Sequence, residues 1–346
     1  MDAPSPPPPA IVEFVKQADQ YDAGWCEWRT SGYHITVGTW PEEVTDLIQL
    51  FNEIPLESLS LVELAISDRH FKLFRNVEGL MSISVTSVPI DGSGLDLLPV
   101  CEAVTEVDIS GCPLDGRKMI GMRKFPNASD VKLKADFADD AVRHLKPLAN
   151  LEILSLYDCK MTGDGLEGLA GKQHLRKLYL HGAGMKSGPQ RDILRGFQHL
   201  ASCPSLEGIN LEETSVDDAG LADIAKIKSL QSLSVGSDKI TDDGLRHFAG
   251  HPNLRSLSYC GKGWGWMHLG VTEKCFVHLP NIPNLRSLSV CCNITTEGLK
   301  SLKQIPKLES LRVDWPTMTQ TELNELRKQL PNCRVTSIYL IDSRWR

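Results

Sequence analysis

Two cysteines and two histidines in the second half of the chain are the residues best suited to bind a metal ion. Cys260, His268, Cys275 and His278 offer the thiolate and imidazole ligands that zinc prefers. Their spacings of 8, 7 and 3 residues match no standard zinc pattern, and the last two residues fall in a segment with helical periodicity. We therefore expect neither a metal site nor a cofactor.

Other residue types that catalyse reactions are not grouped in this sequence. The 10 histidines are scattered, and the chain has neither the motif of a nucleophilic serine nor a phosphate-binding glycine loop. Acidic residues on neighbouring strands are expected in any acidic chain. The sequence thus favours recognition over catalysis, and an enzyme with a site of unrecognised type is the less favoured alternative.

The composition narrows the class of partner and the compartment. The formal net charge is -7 and no stripe of lysine and arginine occurs, which disfavours a nucleic-acid partner. The amino end has no basic start followed by an apolar stretch, and no apolar run reaches 18 residues, so we expect neither export nor contact with a membrane. The 10 cysteines are sparse for 346 residues, as expected of buried free thiols in the cytoplasm. Nothing in the sequence fixes the oligomeric state, and a monomer is compatible with it.

The dominant pattern is a Leu-x-x-Leu-x-Leu spacing that occurs twelve times between residues 56 and 340, mostly about 24 residues apart. A repeat of this length indicates stacked supersecondary units rather than a globular domain with one central pocket. The copies begin at Leu56, Leu80, Val104, Ala128, Leu151, Leu175, Leu206, Leu230, Leu254, Leu285, Leu308 and Val335. We expect one elongated domain.

Within each repeat the apolar period changes from that of a strand to that of a helix. The first half alternates apolar and polar residues, and a Thr-x-x-Gly-Leu-x-x-Leu pattern follows. Thr162, Thr241 and Thr295 stand where a helix needs a cap, and Thr319-x-x-Glu322 is a full capping-box pattern. One strand, one turn and one short helix per repeat predict a parallel sheet on one side and helices on the other.

These copies resemble the leucine-rich repeat family over roughly residues 30–341. The Thr-Asp-x-Gly-Leu segments and the cysteines at the ninth repeat position are most similar to the cysteine-containing and bacterial helical-backed variants. The ninth position varies among Cys112, Cys159, Thr214, Asp238 and Asn293. The resemblance implies an α/β horseshoe with a parallel concave β-sheet and helices on the convex side. It also implies that the concave face binds a protein or peptide, and it supplies no catalytic residues.

The amino end departs from the repeat. Residues 1–10 are rich in proline, which lacks an amide donor, so we expect a disordered tail outside any helix or central strand. Residues 11–55 are predicted to form an amino-terminal cap with a short helix and an extra strand, in which Ile35 and Val37 point inward.

The carboxyl end needs a cover as well, because a stack of repeats cannot leave its last apolar layer in water. The repeats occupy residues 56–340, and only residues 341–346 follow. We expect Trp345 in this tail, or another subunit, to cover the last repeat.

The strand pattern also selects the residues on the predicted concave face. The first, fourth and sixth repeat positions point inward, which leaves the third, fifth and seventh outside. Near both ends these outer positions are mostly serine, whereas the central repeats carry long polar and aromatic side chains. We interpret this central band as the partner-binding site; it includes Asp108, Asp130, Lys132, Tyr157, Lys177, Tyr179, His181, Asn210 and Glu212. Tyr157, Tyr179 and His181 are the expected anchors, although solvated strand faces also carry mixed charges by default.

Two repeats are 31 residues long, 7 more than the common length, and both insertions follow the strand. They lie at residues 182–190 and 261–268. Trp264 and Trp266 in the second insertion are costly to expose, so they are candidate contacts with a partner. Packing onto their own repeat explains them equally well.

The sequence thus predicts a non-enzymatic scaffold that binds a protein or peptide. An alternative is an F-box-like substrate receptor of a ubiquitin ligase, because Pro41–Val44 and Ile54–Leu59 loosely resemble an F-box. The second of these segments is also similar to residues 305–311, so the repeat itself accounts for it.

Overall fold

The computed structural model divides the chain by its internal contacts into two compact units, Met1–Cys159 and Lys160–Arg346. The sequence predicts one domain, and the two units are described separately below. The structure describes residues 9–16 except 11 and 15, 24–29, 32–38, 48–49, 51–182 except 76 and 78, 195–259, 271–313 except 293, and 319–337.

The described part of the first unit contains seven strands, whose order in the sheet follows the sequence. β1 and β2 form an antiparallel hairpin, and β2 to β7 pair in parallel. The strands are β1 (Gly24–Arg29), β2 (Gly32–Gly38), β3 (Leu56–Val62), β4 (Ser82–Thr86), β5 (Glu106–Ser110), β6 (Asp130–Lys134) and β7 (Ile153–Tyr157). The returning segments contain 3₁₀ helices at Asp68–Leu73, Ser93–Leu97 and Gly116–Lys124, and an α-helix at Asp140–Arg143.

The second unit contains seven strands in its described part, and the pairs among them are parallel. The strands are β8 (Lys177–His181), β9 (Gly208–Glu212), β10 (Ser232–Gly236), β11 (Ser256–Tyr259), β12 (Ser287–Val290), β13 (Ser310–Val313) and β14 (Arg334–Thr336). The 3₁₀ helices are Asp164–Leu169, Phe197–Ser202, Asp242–Phe248 and Glu273–Asn281. The α-helices are Asp218–Ile224, Thr296–Lys303 and Gln320–Gln329.

Alternation along each strand separates the core from the surface, as the sequence predicts. In the β3 repeat the first, fourth and sixth positions are Leu56, Leu59 and Leu61, and all three are buried. Leu233 and Val235 repeat this pattern in β10. The side chains between them point to the opposite side of the sheet because successive residues of a strand alternate. We call this side the strand face of each unit.

Most returning segments are 3₁₀ helices, where the sequence predicts short helices without distinguishing their type. The Thr-x-x-Gly-Leu-x-x-Leu spacing suits a 3₁₀ helix because residues i and i+3 lie above one another in it. Large apolar side chains attach these helices to the core: Phe71, Phe197, Phe248 and Phe276 lie in them and are buried. The compact 3₁₀ turn therefore still covers the inner side of the sheet.

The predicted helix caps are confirmed for three threonines. The hydroxyls of Thr241, Thr295 and Thr319 each accept a hydrogen bond from a backbone N–H in the first turn of the helix that follows. Thr319 and Glu322 form the predicted capping box. These contacts satisfy amide groups that have no partner inside the helix.

The cap predicted at Thr162 is wrong. The helix Asp164–Leu169 begins after Gly163, whose φ is 102°. A Cβ at that position would lie 1.8 Å from the carbonyl oxygen of Arg195. Close backbone approach and a left-handed conformation thus require glycine at the helix start and leave the threonine outside it.

An acidic residue at the start of one helix holds the cap threonine of the next repeat in the second unit. The pairs are Asp218 with Thr241, Asp242 with Thr272, and Glu273 with Thr295. In the first pair the backbone N–H and the hydroxyl of Thr241 donate to Asp218 at 2.9 and 2.6 Å. We call this series the carboxylate–threonine ladder. It links neighbouring repeats through charge-assisted hydrogen bonds.

The polar position after the strands is less regular than the sequence suggests. Cys112, Cys159 and Thr214 at the ninth repeat position are buried. Asp238 at the same position is exposed, and the preceding Ser237 is buried instead, where its hydroxyl donates to the carbonyl of Val216 at 2.6 Å. A carboxylate is costly to bury, so the small neutral serine takes the inward position.

Two residues of the tail predicted for residues 1–10 lie in a helix. Pro9 and Ala10 lie in helical backbone, and Ala10 is buried. The exclusion of these residues from a helix is wrong because the first turn of a helix tolerates proline. Ile35 and Val37 are buried in β2. Trp345 and the tail of residues 341–346 lie outside the described residues.

The ladder makes Thr295 a test of how strongly neighbouring repeats are coupled. Thr295→Ala removes the hydroxyl, which caps the helix and also donates to Glu273. We therefore expect the free energy of unfolding to fall by about 1 kcal/mol. Urea denaturation measures this change. Thr296→Ala, one residue later and equally exposed, is the control and should change stability by less than about 0.5 kcal/mol. Equal losses in both variants would contradict the role of the ladder.

Candidate binding surface

In the first unit the predicted site residues lie on three neighbouring strands. Asp108 is in β5, Asp130 and Lys132 are in β6, and Tyr157 is in β7. The register puts Asp108 beside Lys132, whose Nζ donates to the carboxylate at 2.6 Å. Ser110 Oγ donates to the same carboxylate at 2.5 Å. The structure therefore builds a hydrogen-bonded polar group around Asp108 on the strand face.

The charges of this group are shaped by burial and by one another. Burial raises the pKa of the Asp130 carboxyl, and the nearby Asp108 carboxylate raises it further. The hydrogen bond to Asp108 raises the pKa of Lys132 and keeps its ammonium group charged. Tyr157 is half-buried on the next strand, beside Lys134. The result is an aromatic ring at the border of a paired set of charges.

In the second unit the predicted residues occupy two adjacent strands. Lys177, Tyr179 and His181 alternate along the strand face of β8, and Tyr179 pairs in register with Asn210 of β9. Lys177 is exposed, whereas Tyr179 and His181 are half-buried. Glu212 accepts a hydrogen bond from a β10 serine hydroxyl at 2.9 Å.

Two further contacts orient this group. Asn210 Oδ1 accepts from the backbone N–H of Glu212 at 2.9 Å. His181 Nε2 lies 3.8 Å from a carboxylate oxygen of Glu213. The tyrosine thus stands among polar side chains that are held by their neighbours, which limits the side-chain freedom lost on binding.

The two sets belong to different units. Tyr157 lies in the first unit, and Tyr179 with His181 lies in the second. We therefore treat each set as a surface of its own, and the single central band expected from the sequence stays a prediction.

The tryptophans of the second insertion, Trp264 and Trp266, lie outside the described residues, as do Cys260 and His268. The other two members of the zinc candidate lie in the 3₁₀ helix Glu273–Asn281, where Cys275 is buried. Within the described residues, no three or more histidine, cysteine, aspartate and glutamate side chains form a group that could hold a metal ion.

Left-handed residues at the ends of the strands are a feature that the sequence does not reveal. Glu63, Ser87, Asp158 and Glu213 have φ values between 52° and 58° and occupy the eighth repeat position. The only signal is that three other copies have glycine there, Gly111, Gly182 and Gly261. Gly111 and Gly182 lie within the described residues, and both have φ 68°. Directly after β3 and β4 the backbone N–H groups at these positions donate to the next strand: Glu63 to the carbonyl of Thr86 at 2.9 Å and Ser87 to the carbonyl of Ser110 at 2.8 Å. The positions therefore hold polar side chains, three of them acidic, at the edge of the strand face at a cost in backbone energy.

Glu213 is the left-handed residue that lies beside His181, and the backbone cost can be measured there. Glu213→Gly should raise the free energy of unfolding by about 0.5 kcal/mol, since glycine adopts φ 58° without a Cβ clash. Chemical denaturation provides the measurement. Glu213→Ala removes the same carboxylate but keeps the clash, so it should give no increase. A gain of similar size in both variants would assign the effect to charge instead.

A buried lysine lies shortly before β8. Lys172 follows the helix Asp164–Leu169 and is only 6% exposed. Burial lowers its pKa to about 8, and the neighbouring Cys203 thiol group offsets this effect in part. Folding therefore favours the neutral amine over the ammonium form.

This shift predicts how stability changes with pH. The pKa of Lys172 falls from 10.5 to about 8 on folding, so the unfolded chain binds the proton more tightly between these values. The contribution of Lys172 to stability should rise as pH increases from about 8 to about 10. The unfolding free energy of the wild type minus that of Lys172→Met should become more positive over this range in urea titrations. A signed difference that stays flat or becomes more negative with pH would contradict the shift.

Comparison with known proteins supports the same architecture. Residues 148–170, which include β7 and the helix Asp164–Leu169, match a family model described as Leucine Rich repeat. The crystal structure of an internalin (inlF) from Listeria monocytogenes is similar to this chain with a TM-score of 0.58 and 18% identity. The match covers 89% of this chain and 80% of the internalin. The chain has the leucine-rich repeat fold. The fold that the sequence resemblance implies is thus confirmed, whereas the subclass stays a prediction.

Two other solved structures give weaker matches. A TLR13–ssRNA13 complex has a TM-score of 0.48 and 17% identity, covering 85% of this chain and 37% of that one. The plant peptide hormone receptor RGFR1 in complex with RGF2 has a TM-score of 0.43 and 14% identity, covering 86% of this chain and 49% of that one.

No curated protein matches the chain significantly in sequence. None of the described helices is long and apolar enough to cross a bilayer.

Proposed function

We propose that this leucine-rich repeat chain binds a protein or peptide on its strand faces and catalyses no reaction. The observation that carries the proposal is the pair of tyrosines on those faces. Tyr157 and Tyr179 remain half-buried, while their inward neighbours Leu156, Leu178 and Leu180 are fully buried. Tyrosine supplies a large contact area with a polar end, and it is enriched among residues that dominate binding energy.

The polar groups around the tyrosines suit recognition of another chain. The Asp108 carboxylate is bonded to Lys132, and Glu212 is bonded to a serine hydroxyl. These contacts hold the side chains before a partner arrives, so binding orders fewer rotatable groups. Mixed charges around an aromatic residue also match the polar rim and aromatic centre of known protein interfaces.

Catalysis is less well supported by the same residues. Asp130 is the acid on these faces whose pKa burial raises, but it lies on an open sheet rather than in a cleft that would exclude water. The Asp108 carboxylate, whose charge also raises the pKa of Asp130, is already bonded to Lys132 and Ser110. A binding role therefore requires fewer additional assumptions.

The F-box alternative receives no support. Pro41–Val44 lies outside the described residues. Leu56–Leu59 lies in β3, where the repeat accounts for its apolar residues. For the compartment we keep the cytoplasm as our proposal, because the eight cysteines whose side chains the structure describes carry thiols rather than disulfides, and all of them except Cys333 are buried.

The tyrosines provide the test of binding. A partner captured with the full chain from its native cell, then purified, can be titrated calorimetrically against wild type and variants. Tyr157→Ala combined with Tyr179→Ala should reduce the binding free energy by at least about 2 kcal/mol, the scale of interface hot spots. The single variants would show which unit contributes more.

Matched controls come from serines on the same faces. Ser84→Ala in β4 and Ser232→Ala in β10 remove one hydroxyl each from the strand face of their unit. Together they should change the binding free energy by less than about 0.5 kcal/mol. Losses as large as those of the tyrosine variants would rule out the tyrosines as anchors.

A further inference from the structure

Four arginines gather at the carboxyl-terminal strands of the second unit. Arg255 precedes β11, Arg286 precedes β12, Arg312 lies in β13 and Arg334 begins β14. The four strands pair in parallel in this order, with Ser310 beside Arg334. Neighbouring strands lie about 4.8 Å apart, so the four side chains start from a strip about 15 Å wide. We call this strip the arginine surface.

One acidic residue lies among these arginines in the described strand segments. Glu309 is the one acidic residue in the described segments 255–259, 286–290, 309–313 and 334–336, and it forms an ion pair with Arg286. Arg255 and Arg334 are exposed, and neither forms an ion pair with another described residue. The described segments of this surface therefore carry a net positive charge, in a chain whose formal net charge is -7.

The side chains between the arginines are short and polar. Ser256, Ser258, Ser287 and Ser289 pair in register on the strand face of β11 and β12. Short side chains let the backbone of a bound segment approach the sheet, and hydroxyl groups both donate and accept hydrogen bonds. The serines leave room for a chain, whereas the arginines determine its charge.

We infer that the arginine surface binds an extended acidic segment of the partner. This inference rests on the proposed function and adds the chemistry of the partner to it. Guanidinium groups match carboxylates with two parallel N–H···O bonds. Three strand spacings, about 14 Å, separate Arg255 from Arg334, and an extended chain covers that distance in about four residues. Two acidic residues about four positions apart thus fit the surface.

A protein segment fits this surface better than a nucleic acid. Proteins that bind single strands stack bases on exposed aromatic rings. The aromatic residue within the described β11–β14 segments is Tyr259, which points inward and is 5% exposed. The described residues of the arginine surface thus offer charge and hydroxyl groups but no ring for stacking.

The test uses the full chain and a fluorescein-labelled dodecapeptide of serine with glutamate at every fourth position. Fluorescence anisotropy should show binding that weakens about ten-fold in Arg255→Gln combined with Arg334→Gln. The same peptide with glutamine in place of glutamate should bind at least about ten-fold more weakly, and added salt should weaken the glutamate complex because exposed charges are screened. Arg246→Gln with Lys300→Gln on the helices removes the same charge and should leave affinity unchanged.

Several results would overturn the inference. These are equal binding of the glutamate and glutamine peptides, equal loss in the two double variants, or tighter binding of a labelled oligouridylate through Arg255 and Arg334. The captured partner separates this inference from the proposed function. If it loses affinity with the tyrosine variants but not with the arginine variant, the acidic-segment inference fails and the scaffold function stands. If neither set of variants weakens it, both fail.

Discussion

No single repeat of this chain can bury its own apolar residues, and the rest of the structure depends on that constraint. A strand with Leu56, Leu59 and Leu61 on one side has an apolar face that only neighbouring elements can cover. Parallel pairing in register brings equivalent positions together, so apolar side chains pack beside apolar side chains, and helices that carry phenylalanine close the layer. The opposite side of each strand carries no such requirement. Its side chains are therefore available for recognition.

Polar contacts fix where each repeat ends and the next begins. The carboxylate–threonine ladder joins the helix starts, while left-handed residues such as Glu63 continue the backbone hydrogen bonding beyond the strand. Both devices act at turns, where the apolar pattern gives little guidance. Because the ladder uses charged acceptors, its bonds are stronger than those of a neutral cap. These polar contacts therefore fix the conformation of the turns, as apolar packing fixes that of the core.

Much of the fold could be predicted because apolar spacing reports directly on burial. The strands of the first eleven copies and their inward positions follow from that spacing. The predicted start of the twelfth copy at Val335 is wrong, because β14 pairs Val335 with Leu311, the fourth position of the preceding copy. The predictions that fail concern single positions. Gly163 rather than Thr162 lies at the helix start, because a backbone carbonyl leaves no room for a side chain there. Ser237 rather than Asp238 is buried, because burying a carboxylate is costly. The candidate surface is predictable only in outline. A spacing of 24 residues puts Asp108 beside Lys132, but the contact of His181 with Glu213 depends on a left-handed turn that residue types do not reveal.

The carboxylate–threonine ladder also bears on how such an array can change in length. Each helix start from Asp218 to Glu273 carries an acceptor for the following repeat, and the starts at Thr241 and Thr272 carry donors for the preceding one as well. Removal or duplication of one whole unit in this stretch would join an acceptor to a threonine again, for example Asp218 to Thr272. The stretch is thus modular at the level of individual bonds. Gene rearrangements that keep whole units would conserve its interfaces, whereas those that cut within a unit would leave charged groups unpaired.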